Sequence, residues 1–255
     1  METLTLVGLQ GYDTVVLSGT AGADSISITG QTINLGNGGP IINANVEDVR
    51  LNALGGTDVI TYNGVSGVSE NIRVSSSGVP GGGQISVPGV TLIDFTGVEQ
   101  VNVNGNAATL SETDTVTFAG TNAPDTFNIN LAAAGTTSDP ILTLLNSSGN
   151  TLLIFNYNSN NFNTLNVQGL DGTDTFNVFT SATGPSRNLF IDGGAPTGKK
   201  KSTDNLNVFY TPPRPRIIQS TATQNPDAGL VDLNYGTARF VVQYDDIEQV
   251  TVSKH

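Results

Sequence analysis

The sequence predicts an all-β protein, a parallel β-solenoid (β-helix) of strand–turn–strand repeats, and three observations support this prediction. Of the 255 residues, 30 are Gly and only 13% are charged, a composition that suits many short strands joined by tight turns. Apolar residues alternate with polar ones, as at Leu4/Leu6 and Phe176/Val178, which is the period of a strand with one buried face. The third observation is that one short pattern recurs along the chain.

This pattern is a frame of twelve residues that occurs three times without a gap. The copies are "ETLTLVGLQGYD" (residues 2–13), "EDVRLNALGGTD" (47–58) and "NTLNVQGLDGTD" (163–174). All three have apolar residues at the third and fifth positions, Leu at the eighth, Gly at the tenth and Asp at the twelfth. Such self-similarity is typical of repeat architectures, in which each unit buries its apolar face against the next.

A longer repeat organises the chain into units. The segments that begin at Asp13 and Asp114 match, and each has a second Asp eleven residues on, at Asp24 and Asp125. The tripeptide Glu-Gln-Val occurs at residues 99–101 and again at 248–250. We therefore predict one repeat unit over residues 1–97, a second over 98–245 with loop insertions, and the first strand of a further repeat over 246–255. The chain is expected to be a fragment of a longer array.

Three Gly-, Pro- or Ser-rich segments between the repeats are predicted to be loops: residues 75–84, 193–204 and 211–229. Tandem β-sandwich domains are the alternative architecture, because units of about 100 residues also match the size of a sandwich. Repeated turns with a fixed phase between Asp and the apolar positions favour the solenoid, in which like turns stack.

Seven aspartates precede predicted strands, and two roles are open for them. An Asp at this position can accept hydrogen bonds from nearby backbone N–H groups and so form an Asx turn. It can also supply a carboxylate ligand to Ca²⁺, which takes six to eight oxygens. The turn-forming role is favoured, since one Asp per turn supplies few oxygens. The seven residues, which are also the candidate metal ligands, are Asp13, Asp24, Asp58, Asp114, Asp125, Asp174 and Asp204.

The segments "GGTDVI" (residues 55–60) and "GLDGTDTFNV" (169–178) resemble degenerate forms of the repeats of secreted RTX (haemolysin-type) proteins. The family's repeat is Gly-Gly-x-Gly-x-Asp followed by an apolar residue, and its copies form a calcium-binding parallel β-roll. The resemblance implies a large bacterial surface or secreted protein, with calcium as the candidate cofactor. This chain departs from the family in spacing, because its aspartates are eleven or more residues apart rather than nine.

Several kinds of chemistry conflict with the composition. The net charge of −12 repels nucleic acid, and no apolar run is long enough to span a membrane as a helix. With His255 as the single His and no Cys, the chain lacks the residues for a Ser-His-Asp triad, a Cys-His pair or a His-ligated zinc site. Paired carboxylates could still hydrolyse glycosides, although the chain has no Trp to form a sugar platform. The basic run at Lys199–Lys201 is expected to be a solvated loop tip, with contact to an acidic module or an anionic glycan as the alternative.

These observations favour a non-enzymatic structural or adhesive module of a large secreted or cell-surface bacterial protein. The module is expected to act as a stiff extracellular spacer or matrix component, stabilised by calcium if the aspartates bind it. Its expected partners are neighbouring repeats of the same or identical chains. The first alternative is an adhesin module that binds a carbohydrate or a receptor, and the second is a β-helical enzyme that acts on polysaccharides.

Overall fold

The fold is all-β, as predicted. The structure is a computed structural model that describes residues 3–36, 40–105, 114–133, 141–158, 162, 164–183, 186–194, 203–223 and 225–255. These residues form 23 strands and no helix. The strands are β1 (Leu4–Val7), β2 (Thr14–Ser18), β3 (Ser25–Thr29), β4 (Thr32–Asn34), β5 (Ile41–Ala44), β6 (Asp48–Asn52), β7 (Val59–Asn63), β8 (Asn71–Ser76), β9 (Gly83–Ser86), β10 (Leu92–Thr96), β11 (Gln100–Asn104), β12 (Thr115–Ala119), β13 (Asp125–Asn130), β14 (Leu142–Asn146), β15 (Thr151–Tyr157), β16 (Thr164–Gln168), β17 (Thr175–Thr180), β18 (Arg187–Asp192), β19 (Asn205–Tyr210), β20 (Arg216–Thr221), β21 (Gly229–Asn234), β22 (Arg239–Asp245) and β23 (Gln249–Lys254).

The strands form two large sheets, and the chain passes repeatedly from one to the other. Sheet 1 has twelve strands in the order β1-β5-β4-β3-β7-β11-β15-β14-β13-β17-β19-β23. Sheet 2 has eleven strands in the order β2-β6-β10-β9-β8-β12-β16-β18-β22-β21-β20. Each time the chain returns to a sheet, the new strand usually pairs in parallel with a strand from an earlier return. In sheet 1, for example, β17 pairs with β19 and β19 pairs with β23.

Four antiparallel meanders, each of three consecutive strands in one sheet, interrupt this parallel stacking, and we call them excursions. They are β3–β5 and β13–β15 in sheet 1, and β8–β10 and β20–β22 in sheet 2. In each excursion the first strand lies two positions further along the sheet than the third, and the chain returns toward the earlier strands. Consequently β3 pairs with the later strand β7, whereas β5 pairs with the earlier strand β1. The first and last strands of an excursion run in the same direction, so the parallel order continues on both sides of it.

Like side chains stack on like side chains from strand to strand. Inside the core, the rings of Phe127 and Phe176 are stacked 4.7 Å apart on paired positions of β13 and β17. On the opposite face of the same strands, the amide of Asn177 donates to Asn128 at 3.0 Å, and Asn207 donates to Asn177 at 3.0 Å. One hydrophobic cluster extends from Ile26 to Ile247 between the two sheets. The period-2 pattern of the sequence therefore places its apolar positions in a shared core.

The structure differs from the sequence prediction in the loops. The loop predicted over 75–84 is shorter, since its first two residues belong to β8 and its last two to β9. Most of the loop predicted over 193–204 lies outside the described residues. The prediction of a loop over residues 211–229 is wrong for its middle part, which forms β20 (Arg216–Thr221) as an outer strand of sheet 2. This strand pairs along its whole length with β21, a partner that lies later in the chain. The preceding Pro and Arg residues predicted a connector, and only the long-range pairing makes the segment a strand.

Candidate functional site

Acidic residues line both sides of the molecule, at the corners where the chain crosses between the sheets. We call the corners that lead from sheet 2 into sheet 1 row 1, and those that lead from sheet 1 into sheet 2 row 2. In each case the acidic residue lies at the start of the strand that follows or directly before it. Row 1 contains Asp24, Asp58, Glu99, Asp125, Asp174, Asp204 and Glu248, and row 2 contains Asp13, Glu47, Glu70 and Asp114.

Hydrogen bonds connect these residues in runs, from one corner of a row to a neighbouring corner. In row 1 the backbone N–H of Asp125 donates to Oδ1 of Asp174 at 2.8 Å, and the N–H of Asp174 donates to Oδ1 of Asp204 at 2.7 Å. The N–H of Asp204 then donates to Oε2 of Glu248 at 2.7 Å. These bonds link parallel strands through a carboxyl acceptor, and they are charge-assisted where that carboxyl is ionised.

The same arrangement occurs in the first half of row 1 and in row 2. Asp24 N–H donates to Asp58 and Asp58 N–H donates to Glu99, both at 2.7 Å. In row 2 the Asp13 N–H donates to Glu47, and the Glu70 N–H donates to Asp114, both at 2.9 Å. We refer to these bonds together as the corner ladder.

The ladder changes the role expected for the aspartates. The Asx-turn prediction expected bonds to nearby N–H groups in the same turn, whereas four of the predicted residues accept the N–H of a neighbouring corner: Asp58, Asp114, Asp174 and Asp204. Asx geometry occurs instead where strands end, since Asn52, Asn146 and Asp192 accept N–H groups two residues on. The carboxylates therefore serve contacts between successive crossings of the chain.

Sequence reasoning missed the glutamates of the ladder. Glu99 and Glu248 accept N–H groups in the way that the interior aspartates do, and Glu47 has this role in row 2. The signal was present for two of them, because Glu-Gln-Val occurs at both positions directly before a strand. The shared requirement is a carboxylate at the corner, and either Asp or Glu can meet it.

The aspartates at the start of a run differ from those within it. Asp24 and Asp125 begin β3 and β13, each of which has an antiparallel strand of its own excursion on one side. No earlier corner adjoins them, and their carboxylates close their own turns. Oδ2 of Asp125 accepts the Thr121 N–H at 2.6 Å and the Thr121 hydroxyl at 2.9 Å. The Thr20 N–H and hydroxyl likewise donate to Oδ2 of Asp24, at 2.6 and 3.2 Å.

Within the runs, Asp58 and Asp174 have a different turn. Leu replaces Thr four residues before the Asp, and both Leu54 and Leu170 adopt a positive φ, of 70° and 71°. Oδ1 accepts the N–H of the previous corner, while the buried Oδ2 of Asp58 and of Asp174 has no hydrogen-bond partner. A buried oxygen without a partner destabilises the charged carboxylate.

Burial changes the ionisation of the second half of row 1. Desolvation raises the pKa of Asp174 to about 8, and the nearby charges of Asp204 and Asp125 raise it further against the opposing backbone hydrogen bond. Desolvation likewise raises the pKa of Asp204 to about 6, with Glu248 and Asp246 as the acidic neighbours. The pKa of Asp125 is also raised by burial, although its bonds to Thr121 oppose that shift. Row 1 thus holds protons at pH values where an exposed Asp is ionised.

A small residue five positions before the Asp makes room for the carboxylate. A Cβ built at Gly19 would lie 2.5 Å from Oδ2 of Asp24, and one at Gly120 would lie 2.6 Å from Oδ2 of Asp125. The equivalent Gly169 lies equally close to Asp174. The turn of Asp58 has Ala53 at this position. The constant spacing from Gly to Asp is visible in the sequence and was not recognised as a packing requirement.

The predicted metal ligands are divided between the two rows. Asp24, Asp58, Asp125, Asp174 and Asp204 lie in row 1, whereas Asp13 and Asp114 lie in row 2. Asp13 therefore does not occupy the same row as Asp58 and Asp174, although the twelve-residue frame aligns all three. Over the residues that the structure describes, no group of three or more acidic or His side chains is arranged to hold a metal ion.

An open acidic pocket lies beside row 1. It has a volume of about 360 Å³ and is lined by Asn122, Leu170, Asp171, Asp192, Gly194 and Asp246. Burial raises the pKa of Asp246, and the charges of Asp245, Asp192, Glu248 and Asp227 raise it further. The lining offers carboxylates and backbone groups to a cationic or hydroxyl-rich ligand. The basic run Lys199–Lys201 lies outside the described residues.

The chain as a whole was compared with membrane-spanning helices and with known proteins. None of the described residues belongs to a helix that is long and apolar enough to cross a membrane. Comparison of the chain with protein-family models, with curated proteins and with solved structures gives no significant match.

Proposed function

We propose that this chain is a structural module of a large secreted or cell-surface bacterial protein, a parallel β-solenoid that acts as a stiff extracellular spacer or matrix component. The observation that carries the proposal is the corner ladder, because it repeats one bond, from a backbone N–H to a carboxyl group, between successive crossings of the chain. A protein selected for a catalytic cleft has no need to repeat such a bond along both sides. A protein selected for resistance to deformation does.

The interior of the molecule supports the same role. The stacked Phe127 and Phe176 rings and the chain of Asn amides on the outer face repeat a contact from strand to strand. In solenoids each repeat contacts its neighbours only, so stability increases with the number of stacked repeats. The resemblance of residues 55–60 and 169–178 to RTX repeats agrees with a secreted, repeat-built protein.

Mechanical unfolding of single molecules tests this proposal. A solenoid pulled from its two ends is expected to lose its outer crossings one at a time, in many small extensions. The tandem β-sandwich alternative predicts two large, cooperative extensions, one for each domain. A record with two such events and no smaller steps would contradict the solenoid.

Calcium binding is a separate part of the proposal, and thermal melts test it. The net charge of −12 and the acidic neighbours that raise the pKa of Asp174 in row 1 and of Asp246 in the pocket mean that a divalent cation would relieve repulsion between carboxylates. We expect millimolar Ca²⁺ to raise the melting temperature relative to excess chelator, with Mg²⁺ as the matched control. An unchanged melting temperature would remove calcium from the proposal.

The second candidate is a carbohydrate- or receptor-binding adhesin module, and the acidic pocket is the observation that favours it. Asp171, Asp192 and Asp246 surround an open concavity in which sugar hydroxyls could be bound by carboxylates and a bridging cation. A glycan array with and without Ca²⁺ tests this function. Binding that is lost in Asp171→Asn/Asp192→Asn would support it, and an array without any signal would contradict it.

A further inference from the structure

The two ends of the paired sheets are complementary, and we propose that one copy of this chain binds end to end with a second copy. This inference rests on the proposed function and deepens it, since it names the partner and the surfaces. The N-terminal end consists of β1 and β2, which are the last strands of sheets 1 and 2 on that side. The C-terminal end consists of β23 in sheet 1 and β20 in sheet 2.

Strand direction is compatible with a continuous sheet at both positions. β1 lies parallel to β5, and β23 lies parallel to β19, so both run in the common direction of sheet 1. β20 is antiparallel to β21, which is antiparallel to β22, so β20 runs in the common direction of sheet 2 along with β2. In a stack of two copies in one orientation, strand direction therefore allows β1 to pair with β23 and β2 with β20, both as parallel pairs.

The N-terminal end is also the most apolar exposed surface among the described residues. Five large hydrophobic side chains within thirteen residues are more than half exposed: Leu4 (55%), Val7 (61%), Leu9 (85%), Tyr12 (68%) and Val16 (66%). Neither β1 nor β2 contains a charged residue that would discourage pairing of its free edge. The C-terminal end offers the exposed Ile218 and the half-buried Val250 and Val252 as apolar partners.

Charge complementarity identifies the occupant as a second copy. Arg214 and Arg216 lie at the start of β20 and Lys254 lies at the end of β23, so all three exposed cations are on the row 2 side of the C-terminal end. The same side of the N-terminal end carries Asp13 and Glu47. The first 49 residues contain no Lys or Arg. Head-to-tail stacking thus brings the cations next to acidic groups, which fixes the orientation of the two copies.

Two variants each block one end of the 255-residue chain. The Leu4 N–H bonds to Pro40 O on the β5 side, so the N–H of Thr5 points to the free edge of β1. Thr5→Pro therefore removes a hydrogen-bond donor from the contact between two copies and leaves the bonds between β1 and β5 in place. Proline is tolerated at such a position of an outer strand. Arg214→Glu/Arg216→Glu reverses the charge of the other end. Lys199→Glu/Lys200→Glu is the control with the same change in net charge.

Sedimentation velocity at about 0.15 M salt, where charges interact over about 8 Å, measures the association. We expect the wild type and the lysine control to form larger species as the concentration rises, and each blocked variant to remain monomeric over the same range. An equimolar mixture of the two blocked variants retains one intact end of each kind and is expected to form a dimer that grows no further.

Three results would overturn the proposal: a monomeric wild type at all concentrations, association that both blocked variants retain, or a mixture that stays monomeric. A monomer that still unfolds in many small extensions would remove the end-to-end contact and leave the spacer function standing. Two large cooperative extensions would instead contradict the spacer proposal itself.

Discussion

The turns of Asp125 and Asp174 occupy neighbouring corners of row 1, and their equivalent carboxylates make different hydrogen bonds. Asp125 begins a run, and both its Oδ2 bonds go to Thr121 in its own turn. Asp174 lies within the run, accepts the Asp125 N–H through Oδ1, and leaves the buried Oδ2 without a partner. The comparison shows that the position in the stack decides which bonds an Asp can make, and that continuity of the ladder leaves one buried oxygen unsatisfied.

The largest expected effect comes from replacing each Asp by the isosteric Asn. Asp125→Asn replaces the charged acceptor of two hydrogen bonds from Thr121 by a neutral amide oxygen and is expected to lower the free energy of unfolding by about 2.5 kcal/mol. Asp174→Asn keeps the Oδ1 acceptor, so at about pH 4 we expect a change of less than about 1 kcal/mol, and at higher pH the variant gains stability relative to the wild type. Denaturant titration measures both values, and equal losses in the two variants would contradict the distinction.

The next effect concerns the space that the carboxylate occupies. A Cβ at Gly120 would lie 2.6 Å from both the Asp125 Oδ2 and the Phe127 ring. We therefore expect Gly120→Ala to lower the free energy of unfolding by about 2 kcal/mol. Gly55→Ala is the matched control, because a Cβ at Gly55 meets no atom within 4 Å. A loss in the control as large as that in Gly120→Ala would show that glycine content rather than packing is responsible.

The pH dependence of stability distinguishes the two turns next. The pKa of Asp174 is raised from 3.8 to about 8 in the folded state, so the folded protein retains a proton that the unfolded chain has lost. The stabilisation is complete below about pH 4 and is lost as the pH rises through about 8. Asp204 acts in the same direction up to its pKa of about 6.

Melting temperatures recorded from pH 4 to pH 9 check this expectation. Repulsion among the other carboxylates also increases with pH, and the Asp174→Asn variant separates the two causes. Its loss of stability over this range is expected to be smaller than that of the wild type by at least about 1.4 kcal/mol, the equivalent of one pKa unit. Parallel curves for the two proteins would contradict the raised pKa of Asp174.

The smallest expected loss of stability comes from removing one hydroxyl group, that of Thr121. Thr121→Val removes the 2.9 Å bond to Asp125 and the 3.2 Å bond that the hydroxyl accepts from the Ala123 N–H, and it keeps the bond from the Thr121 N–H to Asp125. The expected loss is about 1 kcal/mol. Thr173→Val, at an exposed position in the turn of Asp174, is the control and is expected to leave stability unchanged. Denaturant titration of both variants checks the difference, and an unchanged Thr121→Val would mean that the backbone bond alone satisfies the carboxylate.

The sequence predicts the all-β class and the corner positions of the aspartates, because both depend on local patterns. Alternation places Phe176 and Val178 in the core, and Gly beside Asp marks a turn. The ladder could not be predicted in this way, since Asp125 and Asp174 are 49 residues apart and their contact depends on which strands pair. For the same reason the twelve-residue frame aligned Asp13 with Asp58 although they lie on opposite sides.

The antiparallel excursions also lie beyond local patterns. Whether β13 or β15 pairs with β17 depends on the direction in which the chain folds back. The alternation of apolar and polar residues in the three strands is the same in either case. Asp125 shows the consequence, because its place at the start of a run follows from β13 having β14 as its other neighbour. The Thr at position 121 is the sequence feature that accompanies this arrangement, and it occurs again as Thr20 before Asp24.

The excursions have a consequence for the order in which the molecule forms. Each is a compact meander, such as Ser25–Ala44, whose strands follow one another directly in the chain. Hairpins of this kind close within microseconds, whereas parallel pairs must wait for distant partners. For a polypeptide that leaves the ribosome from its N-terminus, each meander can assemble soon after it emerges and template the crossing that follows. The molecule thus contains four meanders that can act as nuclei for growth in one direction.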